Sequence, residues 1–99
     1  MHLISVRNLR QDAEKFPNVA QALEAWYAIV KKARWNKLED VRAIYRDAES
    51  VGNFTVFNIK GNRYRLIVGI NYLSHTVYYK YLLTHAEYDQ EKWKNDPYY

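Results

Sequence analysis

Arg63 and Arg65 stand two apart in a run of strand character, Lys60 lies just before a turn into that run, and Lys80 falls on the next such run. Residues two apart on a strand project from one face, so the spacing predicts a basic surface. Guanidinium groups offer a planar fork of donors with a permanent charge, which suits phosphate oxygens. No Asp or Glu occurs between Glu49 and Glu87 to neutralise these four cations. Solvent-facing Lys and Arg also keep sheets soluble and their edges unpaired, so for any single residue that simpler role stays open.

His85 sits where the last strand-like run gives way to a helix. An imidazole there can exchange protons with a ribose hydroxyl or a leaving oxygen; its alternative is an ordinary surface His at a helix start. Tyr88, three residues on, shares the same helical face and can stack on a base or donate to a phosphate. Its alternative is core packing. Tyr78, Tyr79 and Tyr81 interleave with the basic residues as aromatics do where bases stack. With ten tyrosines in the chain, some interleaving arises by chance. His2, His75 and His85 show no HxxxH or HExxH spacing and there is no Cys, so neither a metal site nor a cofactor is expected. Three glycines make no phosphate-binding loop, and no Ser has a nucleophile-elbow context.

The scaffold for these residues must be a single domain spanning residues 1–99, large enough for one modest core. The chain is 48% hydrophobic and carries a net charge of +4, which fits an ordered fold with an anionic partner. Absence of Cys excludes a disulfide framework and fits a reducing compartment. The opening MHLISVRNLR has too short an apolar run for a secretion signal, and no stretch approaches the length of a membrane span. A soluble, cytoplasmic protein with no membrane contact is expected.

In chain order, residues 2–6 read as a short strand. A helical pattern follows from Arg7 through Leu9, Ala13 and Phe16, and Pro17 interrupts it. A second helix starts at Asn18, a candidate N-cap, with Val19, Ala22, Leu23, Trp26, Ile29, Val30 and Ala33 as its apolar stripe. Lys31, Lys32 and Arg34 sit at its end, where the helix dipole favours cations. Residues 36–50 read as a shorter helix capped by Asn36, with Leu38, Val41, Ile44 and Tyr45 on its apolar side. Three strands follow: Phe54 to Lys60, Arg63 to Tyr72 and Thr76 to Leu83. Gly61-Asn62 and Ser74-His75 turn them into an antiparallel meander. Strict alternation puts Val77, Tyr79, Tyr81 and Leu83 on one face of the last strand. Thr84 and Glu87 match a capping box for a helix running through Tyr88, Asp89 and Trp93, ended by Asn95, Asp96 and Pro97. Tyr98 and Tyr99 are expected to be loose. The helices would cover the apolar face of the sheet and leave the Arg65 face open.

The opening MHLIS, the hairpin VFNIKGNRYRLIVGINY and the closing VYYKYLLTHAEYD together resemble the HigB family, RelE-like toxins of type II toxin–antitoxin systems. The resemblance spans nearly the whole chain and is weakest over residues 36–50. It implies an α+β, RelE-like microbial RNase fold: an N-terminal strand and helices packed on a small twisted antiparallel sheet, with a short C-terminal helix. It implies a metal-independent endoribonuclease that cuts mRNA on translating ribosomes and halts growth. The implied partner is a HigA-type helix-turn-helix antitoxin, with operator DNA bound only through the complex of the two. By the same resemblance, Arg65 matches the arginine placed against the scissile phosphate, Lys60 falls near lysines that precede that strand, and Lys80 replaces a common arginine. His85 and Tyr88 occupy the acid/base or base-stacking positions. Composition and spacing leave a second possibility, a small basic RNA-binding module without catalysis; the resemblance leaves a third, a toxin fold whose site has decayed.

Overall fold

Five strands form one sheet in the order β1-β5-β4-β3-β2: β1 His2–Ile4, β2 Glu49–Val51, β3 Phe54–Ile59, β4 Tyr64–Asn71 and β5 Thr76–Thr84. The computed structural model describes residues 1–16 and 18–99; Pro17, expected to separate the first two helices, lies outside the described residues. β3, β4 and β5 make the expected meander, with Ile59 opposite Tyr64 and Asn71 opposite Thr76. β1 adds to its edge parallel to β5, with Leu3 opposite Val77, so the sheet is mixed.

The helices α1 (Val6–Ala13), α2 (Ala20–Lys32) and α3 (Leu38–Ile44) contribute to one core on one side of the sheet. Leu9, Ala13, Leu23, Trp26, Val30 and Val41 are buried there with Phe57, Leu66, Val68 and Val77. Phe57 anchors the packing, with Trp26 edge-on at 5.5 Å and Tyr45 at 5.2 Å between ring centroids. Tyr79 belongs to this core too, and its hydroxyl donates to Asp12 of α1. Burial first, and that carboxylate second, push the phenol far above its usual pKa.

Several local expectations are corrected. Ile29 and Ile44, counted on apolar faces, are 39% and 52% exposed. Neither Asn18 nor Asn36 caps a helix: Val19 and Lys37 hold those positions, and the Asn36 side chain instead meets His75 at 3.0 Å. The helix expected over 36–50 stops at Ile44, and Glu49–Val51 pairs with β3 as the edge strand β2. The first hairpin loop has four residues, Lys60 to Arg63, with φ of 52° at Lys60 and 65° at Gly61. Glycine reaches that left-handed region without strain, whereas Lys60 is held there by the turn.

One further departure concerns β5. The register passes from Val68 opposite Tyr79 to Ile67 opposite Tyr81, leaving Lys80 as an extra, bulged residue. Alternation therefore breaks at Lys80. Tyr79 joins the first core, while Tyr81 and Leu83 pack on a second one.

That second core lies on the face expected to be open. Phe54, Val56 and Ile67 are buried there with Trp93, because the chain after β5 folds back over them. The capping box forms, with Glu87 N–H donating to Thr84 Oγ1 at 3.1 Å and Thr84 N–H to Glu87 Oε1 at 3.0 Å. The helix it starts, α4 (His85–Asp89), ends earlier than expected, and a left-handed Glu91 (φ 60°) redirects the chain into a 3-10 helix at Lys92–Asn95. Tyr99 is not loose: its carbonyl accepts from Asn53 N–H at 2.8 Å, and its ring meets Trp93 edge-on at 5.4 Å. Gly52 (φ 59°) makes room for it, since a Cβ there would come within 2.7 Å of the Tyr99 ring.

Candidate active site

Arg65 projects from β4 between Asn58 of β3 and Leu83 of β5, at the end of the sheet beside the first hairpin loop. It is 8% exposed. Its Nη1 donates to the carbonyls of Asn62 at 3.1 Å and Tyr64 at 3.3 Å, and its Nη2 to Asn62 Oδ1 at 3.2 Å. A guanidinium has five N–H donors; three are committed, so two remain. Buried charge is tolerated only when bonded in this way. The arginine is thus a fixed, partly covered donor, not the exposed one that strand alternation implied.

Its carbon Cζ lies 5.5 Å from the Tyr88 ring centroid. Tyr88 in turn stacks on Trp93, with centroids 5.1 Å apart and planes 15° from parallel, and the Trp93 indole N–H donates to the Tyr88 carbonyl at 3.0 Å. Burial first, and then the charge of Glu49, raise the Tyr88 pKa against the lowering effect of Arg65. Glu49 comes to this face because it sits opposite Val56.

His85 opens α4, its backbone N–H donating to the Arg63 carbonyl at 3.0 Å, so the arginine hairpin and the helix start are tied together. Half of its side chain is exposed, and Nδ1 lies 2.8 Å from Asp89 Oδ2. The contact is an ion pair whenever the imidazole is charged, and it leaves Nε2 outside it. Lys60 and Arg63 are exposed in the adjoining loop. The fold therefore gathers Lys60, Arg63, Arg65, His85 and Tyr88 at one end of the sheet.

Lys80 is not among them. Its ammonium sits 4.0 Å from Asp96 Oδ2, and 4.4 Å and 5.6 Å from the ring centroids of Tyr98 and Phe54. Asp96 is held well below the usual carboxylate range, chiefly by the Tyr98 N–H, with help from the Tyr81 hydroxyl and Lys80. Two of the interleaved tyrosines thus have structural bonds, Tyr79 to Asp12 and Tyr81 to Asp96. Sequence reasoning missed Glu49, Asn62, Asp89 and Asp96. Only Asp89 had a readable signal, four residues after His85 on a helix. Among the described residues no group of three or more His, Cys, Asp or Glu could hold a metal ion, and no helix is long and apolar enough to cross a membrane.

A family model described as the RelE-like toxic component of a toxin–antitoxin system matches residues 19–91, a span that contains every residue of this cluster. The chain is 30% identical over 93 residues to an mRNA interferase HigB from a UPEC strain of Escherichia coli, covering 91% of this chain and 90% of that one. It is 33% identical over 95 residues to an mRNA interferase HigB of Shigella flexneri, covering 90% of this chain and 88% of that one.

Proposed function

Since this chain belongs to the HigB family of RelE-like toxins, we propose that it is an endoribonuclease that cleaves mRNA with its own side chains and no metal. The observation that carries this is the convergence of Arg65, Tyr88 and the His85–Asp89 pair on one end of the sheet. The ribose 2′-hydroxyl attacks the adjacent phosphorus, the bond to the 5′ oxygen breaks, and a 2′,3′-cyclic phosphate and a 5′-hydroxyl result. The two free N–H donors of Arg65 stabilise the charge that builds on the phosphate oxygens. His85 Nε2 exchanges a proton with the attacking or leaving oxygen, and Asp89 fixes its tautomer. Tyr88 holds a base or phosphate, while Lys60 and Arg63 bind flanking phosphates without reading sequence.

The substrate in the cell is mRNA on translating ribosomes in the cytoplasm. A HigA-type helix-turn-helix antitoxin neutralises the protein, and operator DNA is bound only through that complex. One observation favours the non-catalytic RNA-binding module instead: Arg65 is mostly covered. Incubating the purified protein with free mRNA in chelator, and with translating ribosomes in magnesium, separates the two. Fragments ending in 2′,3′-cyclic phosphate support cleavage; RNA bound but left intact under both conditions contradicts it.

A further inference from the structure

The sheet face that carries Arg65 holds a cavity of about 530 Å³ at its other end, within the range of small-ligand sites. Tyr78 and Tyr98, 38% and 69% exposed, give it aromatic walls over a buried Phe54. Asn53 and Asn71 line it, the Asn71 Oδ1 already accepting from the Ser74 N–H at 3.1 Å. Lys80 overlooks it, two residues on from Tyr78 and on the same face of β5. Gly69 keeps the space open: it pairs with Phe54 on one side and Tyr78 on the other, and a Cβ there would come no nearer than 3.9 Å to Tyr78.

We propose that this cavity binds one nucleotide unit of the RNA strand cut at the Arg65 end, a subsite that selects which RNA is held. The proposal rests on the mRNA-cleavage function above and adds a site outside the cleavage residues. Exposed aromatic faces take up a base by stacking, whatever its identity. The Asn53 amide offers a donor and an acceptor, and the Asn71 amide its NH2 donors, the complement of a base edge. A lone ammonium suits one phosphate. Asp96 does not saturate Lys80: at 4.0 Å it is beyond hydrogen-bond reach, and its oxygens already accept from the Tyr81 hydroxyl and the Tyr98 N–H. An apolar side chain of a protein partner fits less well, because it would desolvate Lys80 and both amides without compensation. Five steps along the chain take Lys80 to His85, roughly 16 Å at the rise of a strand, so the bound nucleotide is not adjacent to the cut.

The test titrates the four nucleoside monophosphates into the full-length protein while backbone amide NMR shifts are followed. It also compares cleavage of a short RNA confined to the Arg65 end with binding of a longer, 2′-O-methylated RNA. At least one nucleotide is expected to shift the amides of Gly69, Asn71 and Tyr78. Gly69→Leu, which fills the cavity, and the exposed Tyr78→Ala should abolish those shifts. Both should weaken the longer RNA roughly tenfold and leave cleavage of the short one unchanged. Absent shifts at the cavity, or a longer RNA held equally well by both variants, would overturn the subsite. Wild-type failure to cut the short RNA both free and on ribosomes, with the cavity shifts intact, would instead overturn the cleavage function and leave the nucleotide site standing.

Discussion

The Nδ1 of His85 lies 2.8 Å from Asp89 Oδ2, one helical turn downstream. The capping box at Thr84 and Glu87 fixes the start of that turn, so the imidazole is placed by backbone geometry and oriented by a carboxylate. His85→Gln, which keeps polarity but cannot exchange a proton at neutral pH, is expected to lower cleavage about 10²- to 10⁴-fold. Asp89→Asn keeps an acceptor for Nδ1–H and should lose less, in kcat more than in KM. Steady-state cleavage of a synthetic RNA by both variants measures this; equal losses in the two would show that the carboxylate does more than orient.

Arg65 combines a catalytic proposal with a structural bond, and two substitutions separate them. Arg65→Lys retains the charge but not the fork that holds Asn62, and cleavage should fall on the order of a hundredfold. Arg65→Ala also removes three part-buried hydrogen bonds, each worth about 0.5–1.5 kcal/mol of stability. Urea denaturation beside the activity assay tells loss of fold from loss of chemistry. A folded Arg65→Ala protein with full activity would remove the phosphate assignment.

Tyr88 is packed between function and fold in the same way. Tyr88→Phe preserves the stack on Trp93 and should unfold at wild-type urea concentration. Tyr88→Ala removes the stack and should cost about 1 kcal/mol beyond the lost burial. If the hydroxyl holds RNA, Tyr88→Phe raises KM with stability intact; an unchanged KM removes the hydroxyl from RNA binding and leaves the ring alone to act.

The strap after β5 makes stability depend on acid. Asp96 has a lowered pKa in the folded chain, owing first to the Tyr98 N–H, so the unfolded chain binds protons more readily. Its contribution is complete above the unfolded value of about 3.9 and is lost as pH falls through the lower folded value. Asp96→Asn should therefore destabilise the protein at neutral pH and lose that deficit below about pH 4. Urea midpoints from pH 2 to pH 7 report it; parallel curves for the two proteins would contradict it.

The meander and the first two helices were legible in the sequence because their signals are local. Alternation from Phe54 onward, turn residues at Gly61 and Ser74, and the Thr84–Glu87 box all act within a few residues. What escaped depends on distant parts of the chain. The parallel pairing of Leu3 with Val77 has no local mark, and Glu49–Val51 is too short to show a period. A one-residue bulge at Lys80 cannot be read from alternation, yet it decides which tyrosines enter which core. Trp93 and Tyr99 lack regular spacing, so the strap over the second face was invisible, and with it the covering of Arg65 and the separation of Lys80. The apparent absence of acids around the basic sheet was likewise a property of the sequence alone; Glu49, Asp89 and Asp96 all return to it in space.

The most direct measurement is induced expression in growing cells with transcript 5′ ends mapped for the wild type and His85→Gln. New 5′-hydroxyl ends spread through translated codons for the wild type, and absent for His85→Gln, are expected. An unchanged pattern in the wild type, or the same cuts made by His85→Gln, would contradict a ribonuclease built on this site.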